Sequence, residues 1–207
     1  MPERSADFPT PGAILDYWIG AATDDHLFAD RQHKLWFAKS VATDTFITQQ
    51  FAGVLTALHN GLADAWAKEG PRARLAAIIV LDQFSRNMFR GQSEAFESDV
   101  LALQLAKDGI ARGDDTALNE VERSFFYMPF EHAESLPEQD EAVRLFDALA
   151  ADARPTFKPL CERTADYAHQ HRKVIREFGR FPHRNAILRR ASTPEETAYL
   201  SQPGAGF

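Results

Sequence analysis

The most constraining feature of the sequence is a run of seven consecutive apolar residues, LAAIIVL, at positions 75–81. The run lies in a segment with helical periodicity that extends from about Pro71 to Phe89 and stops at Gly91. A helix that is apolar on every side must lie inside a protein. The chain is therefore predicted to fold around this helix, with other elements packed against all of its faces.

Helical periodicity also accounts for most of the remaining chain, and no segment alternates as a strand does. Further helices are predicted at 11–20, 44–60, 94–112, 119–128, 137–152, 158–178 and 193–200. Gly61 is expected to end the second of these in left-handed backbone, and Thr193 with Glu196 forms a capping-box pattern. The sequence predicts an all-α fold of about eight to ten helices. Short connections predict that these helices pack as antiparallel hairpins.

Composition limits the class of protein. A chain of 207 residues without a flexible linker predicts one domain over 1–207, with an ordered core at about 11–200. No apolar stretch approaches the ~20 residues that span a bilayer, and the N-terminus lacks a signal-peptide pattern. The single cysteine, Cys161, fits a reducing compartment. We therefore expect a cytoplasmic protein without a membrane partner.

The charge is acidic overall and basic in one place. A net charge of −7 argues against a nucleic-acid partner, because phosphate backbones require a basic surface. Between positions 178 and 190, however, the sequence FGRFPHRNAILRR carries four arginines and His183 without any acidic residue. Such a patch can attract a small anion.

Polar residues on the buried helix are the first candidate site. Asp82 and Arg86 continue the same helical stripe as Leu75 and Ile79, so both side chains are expected to face the interior. Two interpretations remain open: an ion pair that joins helices, or a polar pocket. A buried guanidinium needs a carboxylate, and Arg86 is predicted to hydrogen-bond Glu131 or Glu134.

A second candidate is the segment MPFEHAESLPEQ, where Pro129 is expected to break a helix. Glu131, His132 and Glu134 follow it and could form an acid/base pair, part of a metal site, or the partners of Arg86. Metal-binding motifs such as H-E-x-x-H are missing, so no metal is predicted. If the protein is an enzyme, Glu131 and His132 are the candidate general acid and base. The missing P-loop and G-x-G-x-x-G motifs predict no cofactor.

The basic segment is the third candidate. Gly179 is expected to end the helix that carries His171, and Pro182 to open another helix. His183, Arg184 and Asn185 would then lie in a first turn, where free N–H groups favour an anion, with Arg180 alongside. Protonation of His183 would strengthen this binding below pH ~6.5. The alternative is a tight corner whose arginines cap backbone carbonyls.

Three sequence blocks together resemble a known family. LDQFSRNMFRG (81–91), YMPFEHAESLPEQ (127–139) and FGRFPHRN (178–185), followed by RRASTPEE (189–196), are similar to the bacterial domain-of-unknown-function family 924. The resemblance covers nearly the whole chain from about Ile14. It implies an all-helical, tetratricopeptide-like superhelical fold, and neither an established activity nor catalytic residues. One departure is Arg189, which stands where the family usually has glycine between leucine and arginine.

Two functions remain open at this point. The first is binding of a small phosphate- or carboxylate-bearing ligand in a buried polar pocket, with or without catalysis. Its predicted ligand-binding residues are Asp82, Arg86, Glu134, His171, Arg180, His183, Arg184 and Asn185. The second is a helical-hairpin scaffold that binds a protein or peptide. A deep, small cavity would favour the ligand, and an open groove with exposed aromatic residues would favour the scaffold. The sequence does not specify an oligomeric state.

Overall fold

The computed structural model describes residues 8–206, so most of the N-terminal segment predicted to be loose lies outside the described range. Within 8–206 the chain forms nine helical runs and no strand, which confirms the all-α prediction. Two of these runs contain two α-helices each, so the runs contain eleven α-helices. The α-helices are α1 (Pro11–Trp18), α2 (His26–Phe37), α3 (Val41–Ala57), α4 (Ala63–Glu69), α5 (Pro71–Ile78), α6 (Ser85–Met88), α7 (Asp99–Arg112), α8 (Glu120–Glu131), α9 (Leu136–Asp152), α10 (Lys158–Phe178) and α11 (Pro194–Leu200). The tetratricopeptide-like packing stays a prediction. None of the helices in this range is long and apolar enough to cross a membrane.

Two of the helical runs are irregular inside. The run α3–α4 is kinked at Leu58–Leu62, where Asn60 and Gly61 leave helical backbone, and a π-helical turn, Ile79–Phe84, joins α5 to α6. Gly61 has a φ of 103°, in agreement with the left-handed backbone predicted for it. All side chains from position 75 to 81 are 0% exposed. The run α5–α6 is therefore the interior helix that the apolar segment predicted.

Aromatic rings surround this central helix. Phe84 contacts Trp18 and Phe51, with ring centroids 5.2 and 4.8 Å apart. Phe125 from α8 packs edge-on against Trp18 and Trp36, at 5.9 and 5.0 Å. The Phe51–Phe84 pair is tilted, and the other three contacts are edge-to-face, a favoured geometry for aromatic pairs. They connect α1, α2, α3 and α8 to the central helix.

Helices α8, α9 and α10 run up and down beside one another. Gln139 at the start of α9 contacts the end of α8, and Phe146 later in α9 packs against Tyr127 earlier in α8, with ring centroids 5.8 Å apart. Asp140 pairs with Arg172, and Asp147 later in α9 pairs with His169 earlier in α10. Both pairings are antiparallel. They bring the end of α8 next to the end of α10, where the candidate site lies.

Two sequence predictions about helices fail. Helix α8 continues through Pro129 and ends at Glu131, because the fully buried Gln139 supports its last turn. The Gln139 side-chain amide donates to the carbonyl oxygens of Glu131 at 2.6 Å and Ala133 at 2.8 Å, and so satisfies groups that a helix end leaves open. Helix α2 was not predicted, since it buries only Ala29 and Trp36 and gives little periodic signal.

Candidate functional site

A carboxylate and an imidazole meet where the central helix passes the end of α8. Asp82 lies in the π-helical turn Ile79–Phe84, and His132 directly follows α8. Asp82 Oδ1 is 2.7 Å from His132 Nδ1, and the Gln83 amide donates to Asp82 Oδ2 at 2.5 Å. π-helical turns occur frequently at functional sites. Here the turn carries the carboxylate that fixes the imidazole.

Asp82 is negatively charged although its side chain is only 1% exposed. Burial opposes ionisation, but the positive charge of Arg86, the interaction with His132 and the hydrogen bond from Gln83 outweigh it and lower the pKa of Asp82. An ionised carboxylate only accepts hydrogen bonds, so Nδ1 of His132 carries the proton and donates. In the neutral imidazole the lone pair then lies on Nε2.

The His132 side chain remains within reach of solvent. It is 16% exposed, and Nε2 has no hydrogen-bond partner in the described part of the chain. A neutral imidazole with Nδ1 held by a carboxylate and Nε2 open is the arrangement of a general base. The structure therefore gives His132 the geometry for accepting a proton from a bound molecule.

Arg86 forms the Asp82 ion pair that the sequence suggested, but it does not bind Glu131 or Glu134. Its Nη1 and Nη2 donate to Asp99 Oδ1 and Oδ2 at 2.8 and 3.0 Å, and Nη1 also donates to the Asp82 carbonyl at 2.7 Å. Asp82 Oδ1 lies 3.3 Å from Nη1. The predicted contact with Glu131 or Glu134 is wrong, because Asp99 at the start of α7 lies closer.

Arg184 enters the same cluster from the segment after α10. Its guanidinium lies between the rings of Phe96 and Phe181, 4.6 and 4.5 Å from their centroids. Nη2 donates to the His132 carbonyl at 3.1 Å, and Nη1 lies 3.5 Å from Asp99 Oδ2. Burial and the neighbouring charge of Arg86 lower the pKa of Arg184 to about 10, so it stays positive at neutral pH.

One donor of Arg184 is unused. The side chain is 8% exposed, and its Nε is buried without a hydrogen-bond partner among residues 8–206. Leaving a buried N–H unpaired costs about 1–3 kcal/mol, and more when the group is charged. Such a cost indicates a position that an additional acceptor would stabilise.

Glu131 and His171 form a second imidazole–carboxylate pair behind the first. Glu131 Oε1 lies 2.9 Å from His171 Nδ1, which is also 2.8 Å from the Tyr167 carbonyl oxygen. Both side chains are buried. The rings of His132 and His171 are 6.2 Å apart. Glu131 and His171 thus support the wall behind His132, and neither faces open solvent.

The predicted anion corner is built differently. Pro182–Arg184 is a three-residue 3₁₀ turn, and the N–H groups of Arg184 and Asn185 already donate to the carbonyls of Phe181 and Pro182. No α-helix begins there to offer free N–H groups to an anion. That part of the prediction is wrong, because the chain closes a tight turn in place of a helix.

Acidic side chains also neutralise this corner. Arg180 donates to both oxygens of Glu196, at 2.6 and 2.8 Å, and Asn185 donates to the same carboxylate at 3.1 Å. Glu134 accepts from Arg190 at 2.6 and 2.8 Å. Of the predicted corner residues, only Arg184 therefore joins the cluster of Asp82 and His132. Arg180, Asn185 and Glu134 hold the turn together.

The predicted protonation of His183 near pH 6.5 is wrong as well. Burial, with the charges of Arg184 and His171, lowers the pKa of His183 to about 4. The ring lies against Phe181, with centroids 5.6 Å apart. His183 is therefore neutral over the physiological pH range and supplies no cation to a ligand.

Asp99 is the site residue that sequence reasoning missed. It is the first residue of α7, where an acidic side chain is ordinary because the helix dipole favours it. No local signal distinguishes it from a surface residue. The same holds for Phe96 and Phe181, whose stacking on Arg184 depends on tertiary structure.

Two open hollows lie away from this cluster. One of about 420 Å³ is lined by residues of α3 and the turn after it, with Phe8, and one of about 380 Å³ lies between α3 and Met88. Neither includes His132 or Arg184. No group of three or more His, Cys, Asp or Glu side chains within 8–206 could hold a metal ion. Ligand binding at the cluster of Asp82 and His132 would therefore depend on its polar groups and not on a deep cavity.

The resemblance to a family seen in the sequence is confirmed by two comparisons. A model of the family described as "Bacterial protein of unknown function (DUF924)" matches residues 14–204. A solved structure of a protein of unknown function from Agrobacterium tumefaciens is 37% identical, covers 92% of this chain and 96% of its own, and has a TM-score of 0.76. No curated protein matches the chain. The chain belongs to this family of bacterial proteins of unknown function, DUF924.

Proposed function

We propose that this protein binds a small phosphate- or carboxylate-bearing molecule beside His132 and transfers a proton at His132 Nε2. The observation that carries the proposal is the 2.7 Å contact between the ionised, buried Asp82 and His132 Nδ1, which leaves Nε2 open. Arg184 supplies positive charge and an unused N–H, and its Nη2 donates to the carbonyl oxygen of His132. The anionic group of the ligand would accept from Arg184, as guanidinium groups bind two oxygens at once.

The free-energy cost of burying ionised groups favours this function over a purely structural role. Asp82 and Arg184 are ionised groups that are 1% and 8% exposed, and burying an ionised group costs several kcal/mol unless it is fully paired. Asp82 is fully paired, but Arg184 is not. The Glu134–Arg190 and Arg180–Glu196 pairs nearby show how the chain satisfies polar groups that only join segments.

The second candidate function is peptide or protein binding on a different surface. Phe37, Val41 and Phe46 are 50%, 81% and 43% exposed, and Val41 lines one of the open hollows beside α3. The imidazole next to this surface is that of His33, whose ring centroid lies 4.7 Å from that of Phe37. A partner there would contact α3 and leave His132 uncovered.

A thermal-shift screen tests the first function. Wild type, Arg184→Lys and Arg112→Lys are heated with phosphorylated and carboxylated metabolites at constant ionic strength. A ligand at 100 times its Kd raises the free energy of unfolding by about 2.7 kcal/mol. We expect stabilisation of wild type and of Arg112→Lys, whose arginine is 65% exposed, and a loss of stabilisation in Arg184→Lys.

The same screen contradicts the proposal if no anion stabilises wild type, or if Arg184→Lys responds equally. Ligands that bind are then incubated with wild type and His132→Gln and followed by NMR. Conversion by wild type, with retained binding but no conversion by His132→Gln, identifies His132 as catalytic. Conversion by both proteins would exclude that role.

A further inference from the structure

The Asp99 carboxylate occupies an anion position between two arginines. Its oxygens accept from Arg86 at 2.8 and 3.0 Å, side by side, and one of them lies 3.5 Å from Arg184 Nη1. Asp99 is also the first residue of the 14-residue helix α7, whose positive end favours an anion. Two guanidinium groups and a helix end thus converge on one carboxylate.

The geometry points to Asp99 as an internal competitor: its carboxylate holds the position of the ligand's anionic group, and a ligand binds by displacing it. This inference rests on the proposed function and adds where the anion sits and what controls its affinity. The ligand group would be an anion that presents two oxygens side by side, as carboxylates and phosphate esters do. Arg184 Nη1, which lies 3.5 Å from Asp99 Oδ2, would face the ligand anion in its place.

Exposure makes such a displacement feasible. The side chains of Asp99 and Arg86 are 19% and 21% exposed, and Asp99 has no acceptor role beyond Arg86 and Arg184 among the described residues. A rotation of its side chain would place the carboxylate in water. Partly exposed ion pairs contribute little net free energy, so the exchange with a ligand anion costs little.

Arg86 would stay in place after Asp99 moves. Its Nη1 still donates to the Asp82 carbonyl at 2.7 Å and lies 3.3 Å from the Asp82 carboxylate. With Asp99 rotated outwards, two guanidinium groups would face a single buried carboxylate. The cluster would then carry a net positive charge that a ligand anion balances.

Isothermal calorimetry of Asp99→Asn tests the inference. Malonate and inorganic phosphate are titrated into wild type and the variant at constant ionic strength, which separates carboxylate from phosphate preference. If Asp99 occupies the position for about nine tenths of the time, its removal tightens binding about tenfold. Asp44→Asn is the matched control, because Asp44 is also 19% exposed and accepts two hydrogen bonds from one arginine, Arg90.

The two variants separate the possible outcomes. Tighter binding to Asp99→Asn, with wild-type affinity in Asp44→Asn, supports the inference. Wild-type binding that depends on Arg184 but is unchanged or weakened in Asp99→Asn overturns it and leaves the proposed function intact. Binding to neither wild type nor Asp99→Asn defeats both. Asp99→Ser, which keeps a polar residue at the start of α7, replaces Asp99→Asn if the asparagine variant fails to fold.

Discussion

Asp82 and His132 are 50 positions apart in the chain, and their Oδ1 and Nδ1 atoms are 2.7 Å apart. The chain contains a second aspartate–histidine contact, between Asp147 and His169 at 3.0 Å, in which the two side chains are 51% and 44% exposed. The first contact lies in the interior and the second on the surface. Comparing the two contacts separates the effect of burial on stability from the effect of pairing an aspartate with a histidine.

We predict that Asp82→Asn destabilises the protein by about 2–3 kcal/mol, since a buried charged hydrogen bond is lost. The neutral imidazole of His132 should also lose its preference for a proton on Nδ1. Denaturant titration measures the first effect, and nitrogen chemical shifts of the imidazole measure the second. Asp147→Asn is the control and should change stability by less than ~1 kcal/mol. Equal losses in the two variants would contradict the burial argument.

The burial of Asp82 could be predicted from the sequence. Seven apolar residues in a row place positions 75–81 inside the protein, and the helical repeat then carries Asp82 onto an interior face. The helical repeat does not predict which residue pairs with each charged side chain. Arg86 binds Asp99, which lies in the first turn of another helix and looks there like an ordinary helix-stabilising acid.

The basic corner shows a second limit of sequence reasoning. Its arginines lie close together in the chain with no acidic residue between them, yet Arg180 and Arg190 are neutralised by Glu196 and Glu134. These carboxylates lie 16 and 56 positions away from their arginines. Local charge therefore overstated the positive potential of the corner, because folding brought in the counter-charges.

Removal of Arg86 should be costly, because Asp82 would lose its guanidinium partner while remaining buried. We predict that Arg86→Ala lowers the free energy of unfolding by about 2–3 kcal/mol, below the ~3–5 kcal/mol typical of a fully buried pair because Arg86 is 21% exposed. Arg144→Ala provides a comparison, since Arg144 is 60% exposed and pairs with Glu141. It should cost less than ~1 kcal/mol. Similar values from urea denaturation would show that Asp82 does not depend on Arg86.

Gly109 allows two large side chains to cross α7. A Cβ atom at this position would lie 2.5 Å from Phe126 Cζ and 2.7 Å from Arg74 Cδ. Gly109→Ala should therefore destabilise the protein by about 1–3 kcal/mol through overpacking, although alanine favours helix. At Gly12, also in a helix, the nearest atom would be 3.8 Å away. Gly12→Ala should be neutral or stabilising, and thermal unfolding of both variants checks the contrast.

Arg189 has a φ of 53°, the one positive value at a non-glycine residue within 8–206. Left-handed backbone costs a residue with a Cβ about 1–2 kcal/mol. Replacement by glycine removes this cost, but glycine also gives the unfolded chain more freedom, which offsets part of the gain in stability. We predict that Arg189→Gly stabilises the protein by about 0.5–1 kcal/mol. Arg176→Gly, inside α10, should destabilise it by about 1 kcal/mol. A loss of stability in Arg189→Gly would mean that its side chain contributes more than the backbone costs.

Stability should also fall in acid, because buried carboxylates in addition to Asp82 are ionised in the folded protein. Hydrogen bonds from Arg180, which outweigh burial, lower the pKa of Glu196 from 4.5 to about 2. Hydrogen bonds from Arg154 overcome burial at Glu120 and likewise lower its pKa to about 2. The unfolded chain binds these protons at higher pH than the folded protein does. The stabilisation is therefore complete above pH 4.5 and is lost as the pH falls through about 2.

Glu196→Gln tests this pH dependence. The variant should be less stable than wild type at pH 7 and should lose less stability between pH 5 and pH 3, because one of the titrating groups is gone. Glu162→Gln is the control: that carboxylate is 60% exposed, and its removal should leave the pH dependence unchanged. Urea midpoints at pH 7, 5, 4 and 3 give the comparison. Parallel curves for wild type and Glu196→Gln would show that the Arg180–Glu196 pair contributes nothing to acid sensitivity, and that Glu120 or Asp82 carries it.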